Sequence, residues 1–476
     1  MKLSRLFMSF LVLSFLVTSV EAAPKASRSS NTIRVVEPLT EETLKIVKTE
    51  AVKIDPKRLE FNLNKVSNSD IVKICSMYPK MNSLVVSRSK DVTDISPIAQ
   101  LKSLKSLNLS LDNVKDFTPL SQLVQVERLT VGGDKIGPDL KWMSGLVNLS
   151  YLHINGGSQL ISLEGLPSLP GLTRATIGKV NGANLTPITI SLPSLTKLEL
   201  TGSTINDLTP LTKLADLKEL SLYGANVKDF TPLKNCSKLK TLNYYATKNA
   251  DYSSLGQLKQ VTYLKGGLTS LSDISFVAEL PNLKRLDVFA EYITDYSPLA
   301  KTNIERLQIW NMRKPVGDLA SVGQMPKLTR LKLWSVDYAT NTKALAGLSE
   351  LKEFTITSDF NNKSKDPFDM DAAKGWDKVE KIDITKAMLI NGGNLSNLKE
   401  LKDLKLNKIN ESGEPFSLAG FSNLPKLSYV SISSSNVKDI GVLKSLPNLK
   451  RLTINKVSVP EADLQGFAPN VKVTIK

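Results

Sequence analysis

Histidine occurs once in this chain and cysteine twice. With His153 as the only imidazole, a histidine-rich metal site is excluded. A histidine-based catalytic triad would have one candidate, and no acidic, Ser or Cys partner for it can be identified. Cys75 and Cys236 lie about seven periods apart in the repeat described below. At roughly 4.7–4.9 Å per stacked strand, their separation exceeds about 30 Å, far beyond disulfide reach. The reading is two small buried residues and a core that holds without a crosslink. Aromatic residues make up only 6% of the chain, so any cluster of them stands out. Long apolar runs are also scarce. The only one, Leu6 to Val20, is 15 residues long, short for a membrane span of about 20. Lys2 and Arg5 precede it and Val20-Glu21-Ala22 follows. This is a secretory signal peptide, with cleavage expected after Ala22. No cysteine follows the run, which argues against a lipoprotein anchor. No second run exists, so the mature chain should have no transmembrane segment.

What the chain has in abundance is a 22–23-residue repeat. Its core reads Leu-x-x-Leu-x-Leu, as in Leu104-Leu107-Leu109, Leu195-Leu198-Leu200, Leu217-Leu220-Leu222 and Leu449-Leu452-Ile454. Such a period means a solenoid, because one unit cannot bury its apolar edge alone. Seventeen regular units start between Met81 and Leu449 and average 23 residues. A degenerate unit near Arg58 precedes them, and a last strand, Val471 to Ile475, ends the chain. The expected organisation is a signal peptide over 1–22, a leader and N-terminal cap over 23–57, and a solenoid over 58–476. Residues 23–38 read as a flexible polar leader. Helices are expected over Leu39 to Val52 and around Asp70 to Tyr78, where apolar residues fall at helical spacing. Longer units carry inserts around Asp359 to Asp377 and Asn410 to Phe416.

Within a unit the Leu-x-x-Leu-x-Leu stretch is a strand whose leucines enter the core while the x positions face solvent. The other half often reads Asp-x-Ser/Thr-Pro-Leu, as in Asp94-Ile-Ser96-Pro97-Ile98, Asp116-Phe-Thr118-Pro119-Leu120 and Asp207-Leu-Thr209-Pro210-Leu211. This spacing predicts a short helical or 3₁₀ turn, with Ser or Thr as its cap and Pro in its first position. A second proline, as at Pro193, Pro281 and Pro447, stops the turn before the next strand. This phrase on 22-residue units resembles the internalin-type leucine-rich repeat of bacterial surface proteins, over roughly residues 58–476. The resemblance implies a horseshoe, an α/β repeat solenoid with a parallel concave β-sheet and short helical or 3₁₀ turns on the convex side. It also implies a binding protein, since members of that family include adhesins and invasins. The asparagine that usually follows the strand is replaced here by Asp112, Ser203, Ala225, Glu291 and Ser435. No immunoglobulin-like domain, wall-sorting signal or basic wall-binding module follows the repeats. A freely secreted or periplasmic protein is therefore expected.

The register also names a candidate site. The position after the third apolar residue holds Tyr223, Tyr245, Gly267, Phe289, Trp310 and Trp334 in six successive units. Neighbouring strands would set these side chains about 4.8 Å apart in a stripe across the concave face. A second column holds Tyr263, Arg285, Arg306 and Arg330. Aromatics and arginine are enriched at binding hot spots. The stripe could instead be rings that merely pack on one another or cover the rim of the core. Other candidates are weaker. The stretch Asp359 to Asp371 is rich in oxygen ligands but lacks the spacing of a calcium loop. Lysine dominates a formal charge of +16, yet it is scattered through the repeats, which is the pattern of a solvated face. No nucleic-acid motif and no cofactor motif is present. The expected function is an exported, non-enzymatic binding protein with a protein ligand, such as a host surface protein. A glycan-binding module on the same stripe and a periplasmic or envelope scaffold remain as alternatives. The oligomeric state is not legible.

Overall fold

A computed structural model of the chain describes residues 26–476, apart from 138, 157–160, 181–183, 202–204, 247–251, 269–270, 272, 291–292, 311–316, 335–338, 359–366 and 423. The expected signal peptide and most of the oxygen-rich stretch from Asp359 lie outside the described residues.

Each Leu-x-x-Leu-x-Leu stretch forms a strand of about five residues. In the strand Ser106–Ser110, Leu107 and Leu109 are buried while Asn108 sits on the opposite, solvent-facing side. Strands from successive units pair in parallel with leucine opposite leucine, as in Leu107↔Leu129 and Leu220↔Leu242. A one-residue slip would turn each apolar pair to solvent, so the core fixes the register. Among the described residues the result is one sheet of 21 strands, open rather than closed. The fold is a leucine-rich-repeat solenoid. Its core is a continuous column of buried side chains. The unit from Leu195 contributes Leu195, Leu198, Leu200, Ile205, Leu208, Leu211 and Leu214, each fully buried.

The return path of most units is a 3₁₀ turn of three to six residues, such as Ser96–Gln100, Thr118–Gln122 and Thr209–Lys213. Proline stands in its first turn as expected. The cap differs from expectation. No Ser or Thr side chain caps these turns. The aspartate two residues earlier does so instead: Asp94 Oδ1 accepts the Ser96 N–H at 2.8 Å, and Asp116, Asp207, Asp229 and Asp295 repeat the contact. The residue between them (Ile95, Phe117, Leu208, Phe230 or Tyr296) plunges into the core. The backbone therefore bends one residue before the hydroxyl, and the carboxylate is the group in reach, as in an Asx turn. The hydroxyl serves as a donor to the same carboxylate, as from Ser96 to Asp94 at 3.0 Å.

The N-terminal end departs from a flexible leader. Ala26–Ser29 and Thr32–Val35 form an antiparallel hairpin, and the second strand pairs in parallel with Glu60–Asn64. Ser30 makes the two-residue turn at φ 55°. Ala26, Ile33 and Val35 are buried, so the hairpin covers the edge that the first repeat would otherwise leave open. Two helices follow, α1 (Glu41–Ala51) and α2 (Asn68–Met77), each begun by a capping box, Thr40 with Thr43 and Ser67 with Asp70. Asp70 also accepts the Leu39 N–H at 3.2 Å, which ties the approach to α1 onto α2. Cys75 and Cys236 are both free and buried. In the two long units, Phe368–Asp369 pairs with Leu389–Ile390, and Phe416–Ser417 with Val437–Lys438. These form two small ladders outside the main sheet, where plain inserted loops were expected.

Candidate binding face

The strands Glu219–Ala225, Thr241–Ala246, Tyr263–Leu268, Arg285–Ala290, Arg306–Trp310 and Arg330–Trp334 lie side by side. Their pairing sets Tyr223↔Tyr245↔Gly267↔Phe289↔Trp310↔Trp334 in one column. Thr201 and Thr357 end it on either side. The rings form an unbroken chain. Ring centroids are 5.0 Å apart for Tyr223–Tyr245, 5.6 Å for Tyr245–Phe289, 3.9 Å for Phe289–Trp310 and 6.1 Å for Trp310–Trp334. Phe289 and Trp310 are nearly parallel, at 5°.

Gly267 is what keeps this chain continuous. A Cβ there would stand 1.8 Å from Tyr245 Cδ1, so the Tyr245 ring lies over the glycine and leans toward Phe289. The rings therefore form one packed series. They pack on one another, and they also form a ridge on the solvent side of the sheet. Trp334, at its end, is 38% exposed. Burial raises the phenol pKa of Tyr223 and Tyr245 above the ordinary tyrosine value, so both stay neutral at physiological pH. Lys265 lies 5.9 Å from the Tyr245 ring centre and 6.0 Å from that of Phe289, within cation–π range.

The second column runs Tyr263↔Arg285↔Arg306↔Arg330, ending at Glu353. Its members differ in what they are free to do. Asp287 points to the solvent side of the sheet and yet is only 2% exposed. Arg285 donates to it through Nε at 3.0 Å and Nη2 at 2.6 Å, and the Tyr263 hydroxyl donates at 2.8 Å. The Arg285 guanidinium also sits 4.3 Å from the Tyr263 ring centre. Tyr263 and Arg285 thus roof a buried carboxylate. Burial, with the bond to Asp287 second, pushes the Tyr263 phenol well above its ordinary pKa. The bond to Asp287 is the chief cause of the upward shift at Arg285. Arg330 pairs with Glu353. Arg306 is exposed and has no partner among the described residues. The three arginines that look equivalent in sequence are therefore one pinned, one shared and one free. The sequence register places Asp287, with Lys265, Gln308 and Lys332, between the two columns as a solvent-facing position, and its place two residues after Arg285 was the signal for this pairing.

The remaining candidates resolve simply. His153 sits between Thr130 and Thr176 and is half-buried. Of the seven lysines at the strand starts, Lys105, Lys218, Lys240, Lys284, Lys352, Lys402 and Lys450, three pair with acids of a neighbouring unit. Lys105 pairs with Glu127, Lys284 with Glu305 and Lys402 with Glu380, all about half-exposed. Such pairs contribute about 0–1 kcal/mol each and serve mostly to keep the rim soluble. Among the described residues no group of acidic, His and Cys side chains could hold a metal ion. No described helix is long and apolar enough to cross a membrane.

No family model matches the chain, and no curated protein matches it significantly. Solved structures do match. The TLR13–ssRNA13 complex aligns over 95% of this chain and 61% of the TLR13 chain, at 18% identity and a TM-score of 0.60. An internalin (inlF) of Listeria monocytogenes str. 4b F2365 aligns over 67% of this chain and 85% of its own, at 21% identity and a TM-score of 0.45. A leucine-rich-repeat protein of Leptospira interrogans aligns over 92% and 93%, at 18% identity and a TM-score of 0.45. Internalins are thus among the structural neighbours of the chain. The likeness to TLR13 shows a shared fold, and this chain spans about 61% of that protein's length.

Proposed function

We propose that this chain is an exported, non-enzymatic binding protein that recognises a protein ligand on its concave face, as a host-interaction or adhesion factor. The observation that carries this reading is the register-locked column Tyr223, Tyr245, Phe289, Trp310 and Trp334, a continuous apolar ridge beside charged side chains. Rigid aromatics beside arginine supply contact area and orientation at low entropic cost. Tyr263, Arg285, Arg306 and Arg330 form the polar flank of the same surface. A glycan is the weaker fit. Sugar rings stack on open aromatic faces, whereas Phe289 and Trp310 spend facing sides on each other. A nucleic acid is also the weaker fit, although TLR13 was solved with ssRNA13. Three of the seven strand-start lysines are tied to carboxylates, which interrupts the row of unpaired charge that a phosphate backbone would follow. The test is a pull-down from host-cell surface extract with residues 23–476. A Tyr245→Ala/Trp310→Ala/Trp334→Ala variant serves as the comparison, and its fold is checked by circular dichroism. A partner held only by the parent supports the reading. Equal capture by both, or release of the parent's partner by soluble sugars, overturns it.

A further inference from the structure

Beside the ring stripe the same strands carry a cleft of about 50 Å³, lined by Arg285, Asp287, Arg306, Gln308, Arg330 and Lys332. Its cations are unevenly satisfied. Asp287 consumes the charge of Arg285. Arg330 gives Nη2 to Glu353, and its Nε is buried with no acceptor. Arg306 has no partner among the described residues. A desolvated N–H without an acceptor is costly, and an acceptor reaching into the cleft would relieve it. A free guanidinium beside it offers the planar pair of donors that suits a carboxylate. The volume suits a group of that size and is too small for a sugar ring.

The spacing extends the argument. Gln308 stands two residues before Trp310, and Lys332 two before Trp334, about 6.6 Å along a strand. Alternate side chains of an extended peptide have the same spacing. Taking the ring stripe as a protein-binding surface, we propose that the cleft receives a carboxylate from an acidic peptide segment. An apolar side chain two residues along that segment lies against Trp310 and Trp334. Arg306 is the principal anchor, and Arg330 and Lys332 complete the anion site.

The test uses a fluorescein-labelled peptide of three Glu-Ser-Leu-Ser units, with Gln-Ser-Leu-Ser as its neutral match. Anisotropy is read with the full chain, with Arg306→Gln and with Trp334→Ala. Because Arg306 is exposed and unpartnered, its replacement leaves the far-ultraviolet circular dichroism unchanged. The expected result is binding of the Glu peptide that weakens roughly tenfold with the Gln peptide and with Arg306→Gln, and that falls with added salt. Equal binding of the two peptides, equal binding by parent and Arg306→Gln, or no binding at all overturns the cleft assignment. Tighter binding of polyuridylate than of the Glu peptide overturns it in favour of a nucleic acid. The stripe is read separately. Loss with Arg306→Gln but not with Trp334→Ala upholds the cleft and refutes the stripe, whereas the reverse upholds the stripe and refutes the cleft.

Discussion

Asp287→Asn is nearly isosteric and removes one negative charge from beneath Tyr263 and Arg285. The carboxylate accepts three hydrogen bonds, two of them from Arg285. Hydrogen bonds to charged groups contribute about 1.5–3 kcal/mol each. The amide keeps one acceptor oxygen and turns an NH2 group toward a guanidinium, so one to two of these contributions are lost. Arg285 is 40% exposed and the freed cation can turn to water, which places the cost at the lower end, about 2 kcal/mol. In a solenoid each unit answers mainly to its neighbours, so the cost should be local. Native-state hydrogen exchange measures it directly. Amides of Tyr263–Leu268 and Arg285–Ala290 should exchange about 30-fold faster in the variant. Those of Ser83–Ser87, many units away, should not change. Exchange in the two strands within twofold of the parent would refute the view that the buried carboxylate braces this face. Equal acceleration at Ser83–Ser87 would refute the locality of its effect.

Three further outcomes are expected. Gly267→Ala forces the Tyr245 ring off the glycine at a cost of about 1 kcal/mol. Near-ultraviolet circular dichroism should change while the far-ultraviolet spectrum does not, and an unchanged near-ultraviolet spectrum would contradict the packing described. Burial pushes the thiols of Cys75 and Cys236 up to about 12 and about 11, so a thiol reagent at pH 8 should find no reactive group in the native protein and two after denaturation. Hydrogen bonds from Thr118, Thr209 and Ser297 lower the pKa values of Asp116, Asp207 and Asp295 below their ordinary 3.8. Their stabilisation is present above that value and is lost as pH falls through the lowered folded values. Urea midpoints of an Asp116→Asn/Asp207→Asn/Asp295→Asn variant should therefore depend less on pH below 4 than those of the parent.

The repeat and the ring column could be read from residues alone because both depend on a period-2 register that leucine enforces every 22–23 residues. Leu286, Val288, Leu307 and Ile309 point inward, so Phe289 and Trp310 could only point outward. What escaped the reading depends on neighbours distant in sequence or on which of two local groups wins. The apolar pattern of Ile33 and Val35 is too short to announce a strand until the open edge at Glu60–Asn64 is known. Asp-x-Ser/Thr contains two possible caps, and the choice follows from the intervening side chain entering the core. Asp287 looks like an exposed acid until Tyr263, from the preceding unit, is seen to cover it. Gly267 reads as a gap in the stripe, and only the lean of Tyr245 shows that the gap is filled.

Because each strand is bonded only to its neighbours in line, the sheet also has a direction in which it is mechanically weak. Twenty-one strands at about 4.8 Å make a sheet about 100 Å long. Pulling on the chain at its ends loads one strand at a time. Each unit that peels away releases roughly 70–80 Å of slack, as a reel pays out line. A pull applied through the ring column is different. It bears on six strands together, Glu219–Ala225 to Arg330–Trp334, in shear rather than in sequence. Grip across the concave face should therefore outlast tension that would unspool the same protein from its termini.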